Sequence, residues 1–187
     1  MTTTHVALLR AINVGGVTVP MEHLRDLAFE LGWTDVITYL ATGNLLLSTT
    51  QTATAVAERL SAALRAEYAR EVPVVVRTPA QLLATLDRVR PVFAHAEPRR
   101  VQVAFLDRDP GPDADELLGA FAPDEHRYLG GELALHYPNG QARTKMTTSA
   151  IERRLGVVAT VRGVATIEGI LVRSGVTPVR DDLDRDS

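Results

Sequence analysis

The sequence predicts an α+β fold made of two ferredoxin-like (βαββαβ-type) units, with antiparallel or mixed sheets and helices on one face. Three observations carry this. Short apolar runs alternate with stretches of helical periodicity in the order β-α-β-β-α-β within the first 77 residues. A similar order returns after the proline-interrupted link "RPVFAHAEPRR". The 187-residue length suits one large domain or two small ones.

The first unit reads clearly. "HVALLR" (5–10) is a buried strand, nearly continuous in apolar residues. "PMEHLRDLAFELG" is a helix, with Pro20 suited to its first turn and Gly32 to its C-terminal cap. Leu24, Leu27, Ala28 and Leu31 fall on one face of it. "DVITYL" (35–40) and "LLLST" (45–49) are strands joined by the turn "ATGN". Residues 53–70 form a second helix, "VPVVVR" (72–77) a fourth strand and 79–90 a further helix. Glu97–Pro98 marks the boundary, giving units of 1–97 and 98–175 and a charged tail, 176–187, expected to be disordered.

The second unit starts with the strand "VQVAFL" (101–106) and a helix over 113–121. A hairpin over 125–137 turns at Gly130–Gly131. "SAIERRLG" is a short helix with a Ser149/Glu152 capping-box pattern and Gly156 at its end. "VVATV" is a candidate strand and 164–173 a last helix. No sequence repeat accompanies this duplication of order.

Composition narrows the functions. The chain is 45% hydrophobic and carries a net charge of −3, so no global basic field draws it to nucleic acid or membrane. It has no cysteine, which excludes disulfides and thiolate chemistry. No apolar run approaches a membrane-spanning length and no secretory signal is visible, so the cytoplasm is the expected location. Lys145 is the only lysine among 20 basic residues. A lysine against so strong an arginine bias marks a place where a compact ammonium is wanted, or chance.

Three stretches hold candidate binding residues. "RAINVGG" supplies Arg10, Asn13, Gly15 and Gly16 between a strand and a helix, where free backbone N–H groups and a helix N-terminus suit an anion. It matches no known phosphate-loop spacing. The competing reading makes Gly15–Gly16 a tight loop, has Asn13 bond its own backbone and leaves Arg10 as a surface charge. "ATGN" supplies Thr42, Gly43 and Asn44, or is simply a hairpin turn. In a βαββ order with right-handed crossovers, the third strand lies between the first two, and these two loops share one edge. "YPNGQARTKMTTS" supplies Arg143, Lys145 and the hydroxyls of Thr144, Thr147 and Thr148 and runs into a helix N-terminus; Arg162 follows. From 139 to 165 the chain is locally basic, which is either an anion cradle or a solvated face. The five histidines show no paired metal-ligand spacing, so no metal site is expected. No nucleophile–base motif is visible, and no cofactor is named.

With these stretches placed, the chain resembles the DUF1697 family, bacterial proteins of unknown function. The family pattern R-G-I-N-V-G-G corresponds to "RAINVGG" (10–16), and T-Y-I-Q-S-G-N corresponds to "TYLATGN" (38–44). A tyrosine–proline–aspartate–glycine loop leading into R-S-K-L-T corresponds to "YPNGQARTKMT" (137–147). The likeness runs from residue 5 to about 173. It implies paired ferredoxin-like units and no particular activity. Carried over, the motif positions are Arg10, Asn13, Gly15, Gly16, Gly43, Asn44, Arg143 and Lys145. The departures are Ala11 for a glycine, Thr42 for a serine, and "TVRGVAT" for T-x-R-N-W-N-T, which keeps Thr160, Arg162 and Thr166.

Three readings of function follow. The first is binding of a small phosphate- or nucleotide-like anion at the edge shared by the three loops. Single-stranded nucleic acid is a weaker version of it, because aromatics are only 5% of the chain. The second is an enzyme acting on such a ligand, with Lys145 as electrostatic or proton-donating group. The third is an interaction module without a ligand, for instance a homodimer through a sheet edge.

Overall fold

The computed structural model describes residues 1–14 and 17–178. Gly15, Gly16 and most of the charged tail lie outside the described residues. The first half runs β1 (Thr3–Leu9), α1 (Met21–Glu30), β2 (Thr34–Tyr39), β3 (Asn44–Thr49), α2 (Ala53–Tyr68), β4 (Val74–Arg77) and α3 (Pro79–Val92). The second repeats that order: β5 (Val101–Leu106), α4 (Ala114–Leu118), β6 (Glu125–Tyr128), β7 (Glu132–His136), α5 (Thr148–Leu155), β8 (Ala159–Gly163) and α6 (Val164–Arg173).

Each half forms a four-stranded sheet, in the orders β2-β3-β1-β4 and β6-β7-β5-β8. This is the ferredoxin-like arrangement, with the third strand between the first two. All the pairings are antiparallel. The candidate strand in "VVATV" is real, lies slightly later at Ala159–Gly163, and completes the second unit as its edge strand.

The alternation of side chains along the strands explains the layers. In β1, Ala7 and Leu9 face the α1/α2 side with Leu24, Leu60 and Leu64. Val6 and Leu8 face the other way. That second face is covered as well, by α3 and α6, which also cover Val103, Phe105 and Ala134 of the second sheet. The outer face of the second sheet packs Ala104, Leu133 and Leu135 against α4 and α5. So the two crossover helices of each unit lie on one face, as expected, and the two additional helices form a shared middle layer. This is why β1 and β5 are buried almost throughout and read as near-continuous apolar runs.

Three local details differ from the sequence expectation. The helix expected over 113–121 is only Ala114–Leu118, ended by Gly119 at φ +61°. Pro20 is the N-cap of α1 rather than part of its first turn. The cap of α5 is Thr147, whose hydroxyl accepts from the Ala150 N–H, so Ser149 and Glu152 do not form a capping box.

Candidate functional site between the two halves

The β1–α1 loop and the β2–β3 turn meet at the sheet edge, as the strand order requires. Asn13, at φ +57°, is the clasp. Its Oδ1 accepts from Val19 N–H (2.8 Å), and its Nδ2 donates to Val19 O (2.9 Å) and Ala41 O (2.7 Å). One short amide thus closes its own loop and ties it to the neighbouring turn. That is the structural alternative foreseen for Asn13.

Arg10 is not a surface charge. Its Nε and Nη2 each donate to a carboxylate oxygen of Glu152 on α5, both at 2.6 Å. This bidentate pair joins the first half to the second. Glu152 also accepts from the Ala159 N–H at 3.0 Å.

Arg162, on β8, is the densest node. It is 7% exposed. Its Nε donates to Asn44 Oδ1 (2.6 Å) and its Nη1 to Thr160 Oγ1 (2.8 Å) and Val161 O (2.9 Å). Its Nη2 reaches the carbonyls of Leu9 (2.8 Å), Thr42 (3.1 Å) and Gly43 (3.2 Å). A side chain of the second half therefore satisfies the carbonyl oxygens at the end of β1 and in the turn of the first. Asn44 is fully buried beneath it and turns its Nδ2 to Tyr39 O (2.7 Å). Gly43 is required there: at φ +84°, a Cβ would sit 2.8 Å from Leu9 Cβ and Ile12 Cδ1. All the acceptors of Arg162 are neutral, and burial pushes its pKa down to about 10. It remains charged at neutral pH.

Above this network lies a cleft of about 520 Å³. Arg10, Ala11 and Thr42 line it from the first half, and Thr160, Arg162 and the start of α5 from the second. Thr147, Thr148 and Ser149 are all at its wall. The Thr147 hydroxyl caps Ala150, whereas Thr148 and Ser149 occupy the first two helical positions, whose amides have no partner inside a helix.

Arg143 and Lys145 are elsewhere. They line a separate recess of about 280 Å³ with Phe121, Asp124, Asn139 and Gly140. Of the other basic residues of this segment, Arg154 stacks on Phe121, 4.2 Å from its ring centre, and donates to Leu118 O at the end of α4. So Arg10, Thr42 and Arg162 come together, with Asn13, Gly43 and Asn44 bracing them; the third stretch reaches the same cleft through Gln141 and Thr147 to Ser149, while its Arg143 and Lys145 turn into the separate recess. Thr147 and Thr148, expected from the sequence as hydroxyls of an anion cradle, do line the cleft, whereas Thr144 does not; Ser149 in its wall and Glu152 as the partner of Arg10 are not expected from the sequence.

The model of the DUF1697 family, described as a protein of unknown function, matches residues 1–134. The chain belongs to the DUF1697 family. The match takes in "RAINVGG" and "TYLATGN" and ends before the Lys145 loop and Arg162. No curated protein matches the chain. A conserved bacterial protein from Streptococcus pneumoniae has a similar solved structure, with a TM-score of 0.71 at 20% identity, covering 92% of this chain and 99% of that one. At that identity the likeness concerns the fold, and it extends over both halves of this family member. No helix among the described residues is long and apolar enough to cross a membrane.

Proposed function

We propose that this DUF1697 protein binds a small anionic ligand, phosphate- or nucleotide-like, in the cleft between its two halves. One observation carries the reading: the wall of the cleft contains a buried guanidinium, Arg162, with no carboxylate among its bonding partners. A buried charge with only neutral partners is costly, and an anion in the cleft would offset that cost. Two further features support the same sign of ligand. The start of α5 forms part of the cleft wall, which brings the positive end of the helix and the unpaired amides of its first turn to the ligand's side. Thr42, Thr148 and Ser149 line it and bring hydroxyls that can donate to oxyanions. Arg162 would act through its field, because its N–H groups are already engaged. Specificity for the anion's shape would come from the α5 amides and hydroxyls.

Lys145 borders the separate recess, so the enzymatic alternative built on it has no counterpart in this cleft.

The test is thermal unfolding with inorganic phosphate, pyrophosphate, mononucleotides and a short single-stranded oligonucleotide. A ligand at about 100 times its Kd adds roughly 2.7 kcal/mol of stability. Ser149→Asp should abolish the shift, since it places a carboxylate at the helix start while leaving the helix itself favourably capped. No shift with any of the four ligand types refutes the proposal.

A further inference from the structure

A second chemistry lies away from the cleft, at the far end of the second sheet. Glu125 and His136 are directly opposite each other in the β6–β7 ladder, so their side chains share one face. That face is the one bearing Ala134, turned toward the middle helix layer. His95 reaches the same point from the turn that follows α3. One ligand atom from each of the three residues lies within 4.8 Å of the other two. His136 Nδ1 donates to Glu125 Oε1 at 2.8 Å, and His95 Nε2 is 3.9 Å from that same oxygen. The two imidazole rings meet edge to face, 5.6 Å apart, and Phe93 packs against both.

We propose that His95, Glu125 and His136 bind a divalent transition-metal ion of the zinc type. Metal–nitrogen and metal–oxygen bonds of about 2.0–2.1 Å place the ligands of a tetrahedral site roughly 3.3 Å apart. The observed 2.8 and 3.9 Å bracket that value, and the exposed His95 ring closes the difference by side-chain rotation. His136 is nearly buried and held by Phe93, so it gives the site a fixed member. His95 and Glu125 are 65% and 49% exposed, leaving the outer positions to water. Two imidazoles and one carboxylate suit zinc, nickel or copper; magnesium and calcium prefer all-oxygen sites. On binding, the ion takes the place of the proton between His136 and Glu125, which leaves to water. The linear sequence hid this set because the three residues come from a turn and two strands, and share no motif spacing. None of them lines the cleft, so this site and the anion site stand or fall separately.

The experiment is calorimetric titration of Zn²⁺ into the full chain, carrying no added histidine tract, with magnesium in excess. One zinc per chain is expected. His95→Ala, at an exposed position, and Glu125→Gln, nearly isosteric, should each weaken binding by at least about ten-fold. His23→Ala, in the first half, should leave it unchanged. Histidine ring resonances of His95 and His136 should move with zinc while those of His126 stay. No zinc uptake overturns the proposal, and so does uptake that survives both His95→Ala and Glu125→Gln.

Discussion

Arg10 and Glu152 form a two-pronged ion pair, 2.6 Å at each contact, between the end of β1 and the middle of α5. The side chains are 25% and 18% exposed. The pair sits between the exposed case, worth up to about 1 kcal/mol, and the buried case, where removing one partner costs about 3–5 kcal/mol. Glu152 has a second duty to the Ala159 N–H, so its loss should be the larger. We expect about 1 kcal/mol for Arg10→Ala and about 2 kcal/mol for Glu152→Ala in urea unfolding. A double-mutant cycle should return a coupling of about 1 kcal/mol. Coupling near zero would mean that the pair does not join the halves in solution.

Arg162 should matter more. Arg162→Leu removes a donor from three first-half carbonyls and from Asn44 Oδ1; Leu9 O keeps the Thr160 hydroxyl and Gly43 O keeps the Leu9 N–H, while Thr42 O and Asn44 Oδ1 lose the bond that Arg162 gives them. A loss of about 3–5 kcal/mol is expected. Arg162→Lys should recover only part of it, because one ammonium cannot reproduce a fork that spans both sides of a turn. Full recovery by lysine would show that charge alone, not geometry, is what this position supplies.

Gly43 and Ala11 make opposite predictions. Gly43→Ala adds a Cβ against Leu9 and Ile12 at a positive φ, combining strain with overpacking, and should cost about 3 kcal/mol. Ala11 already sits at φ +55°, where the family pattern has glycine. Ala11→Gly relieves about 1 kcal/mol of left-handed strain and gives back a similar amount of unfolded-state entropy. It should be close to neutral. The midpoints of urea unfolding decide both.

Tyr137 gives a pH dependence. It is buried, and its hydroxyl donates to Met146 O at 3.2 Å. Burial first, and the Asp124 charge second, push its pKa well above the usual 10. The folded chain therefore holds this proton more tightly than the unfolded one. Its contribution is fully present below pH 10 and is lost as pH rises past 10 toward the folded value. Urea midpoints should fall across that window, and fall less in Tyr137→Phe. An equal fall in both would assign the alkaline loss to other groups.

Much of this was legible in the sequence, for identifiable reasons. The periodicities of 5–10, 20–32 and 53–70 predict the first unit, and the strand order alone brings the Asn13 loop to the β2–β3 turn. Asn13 followed local chemistry, because an amide in a turn bonds backbone nearby. Arg162 and Asn44 could not be paired, since 118 residues separate them and only the docking of the halves unites them. Glu152 was misread for a related reason. Its spacing from Ser149 suits a capping box, but Thr147 offers an equivalent hydroxyl one cap earlier, and Arg10 claims the carboxylate. The family pattern and the local basic charge place Lys145 with the other two stretches, yet the chain turns it into the recess beside Asp124.

Anion binding in the cleft is read most directly from the amide spectrum of Thr148 and Ser149 during titration with inorganic phosphate. Saturable movement of both resonances is expected at millimolar phosphate or below, and none in Ser149→Asp. Resonances that stay fixed while the chain remains folded, or that move equally in Ser149→Asp, would contradict it.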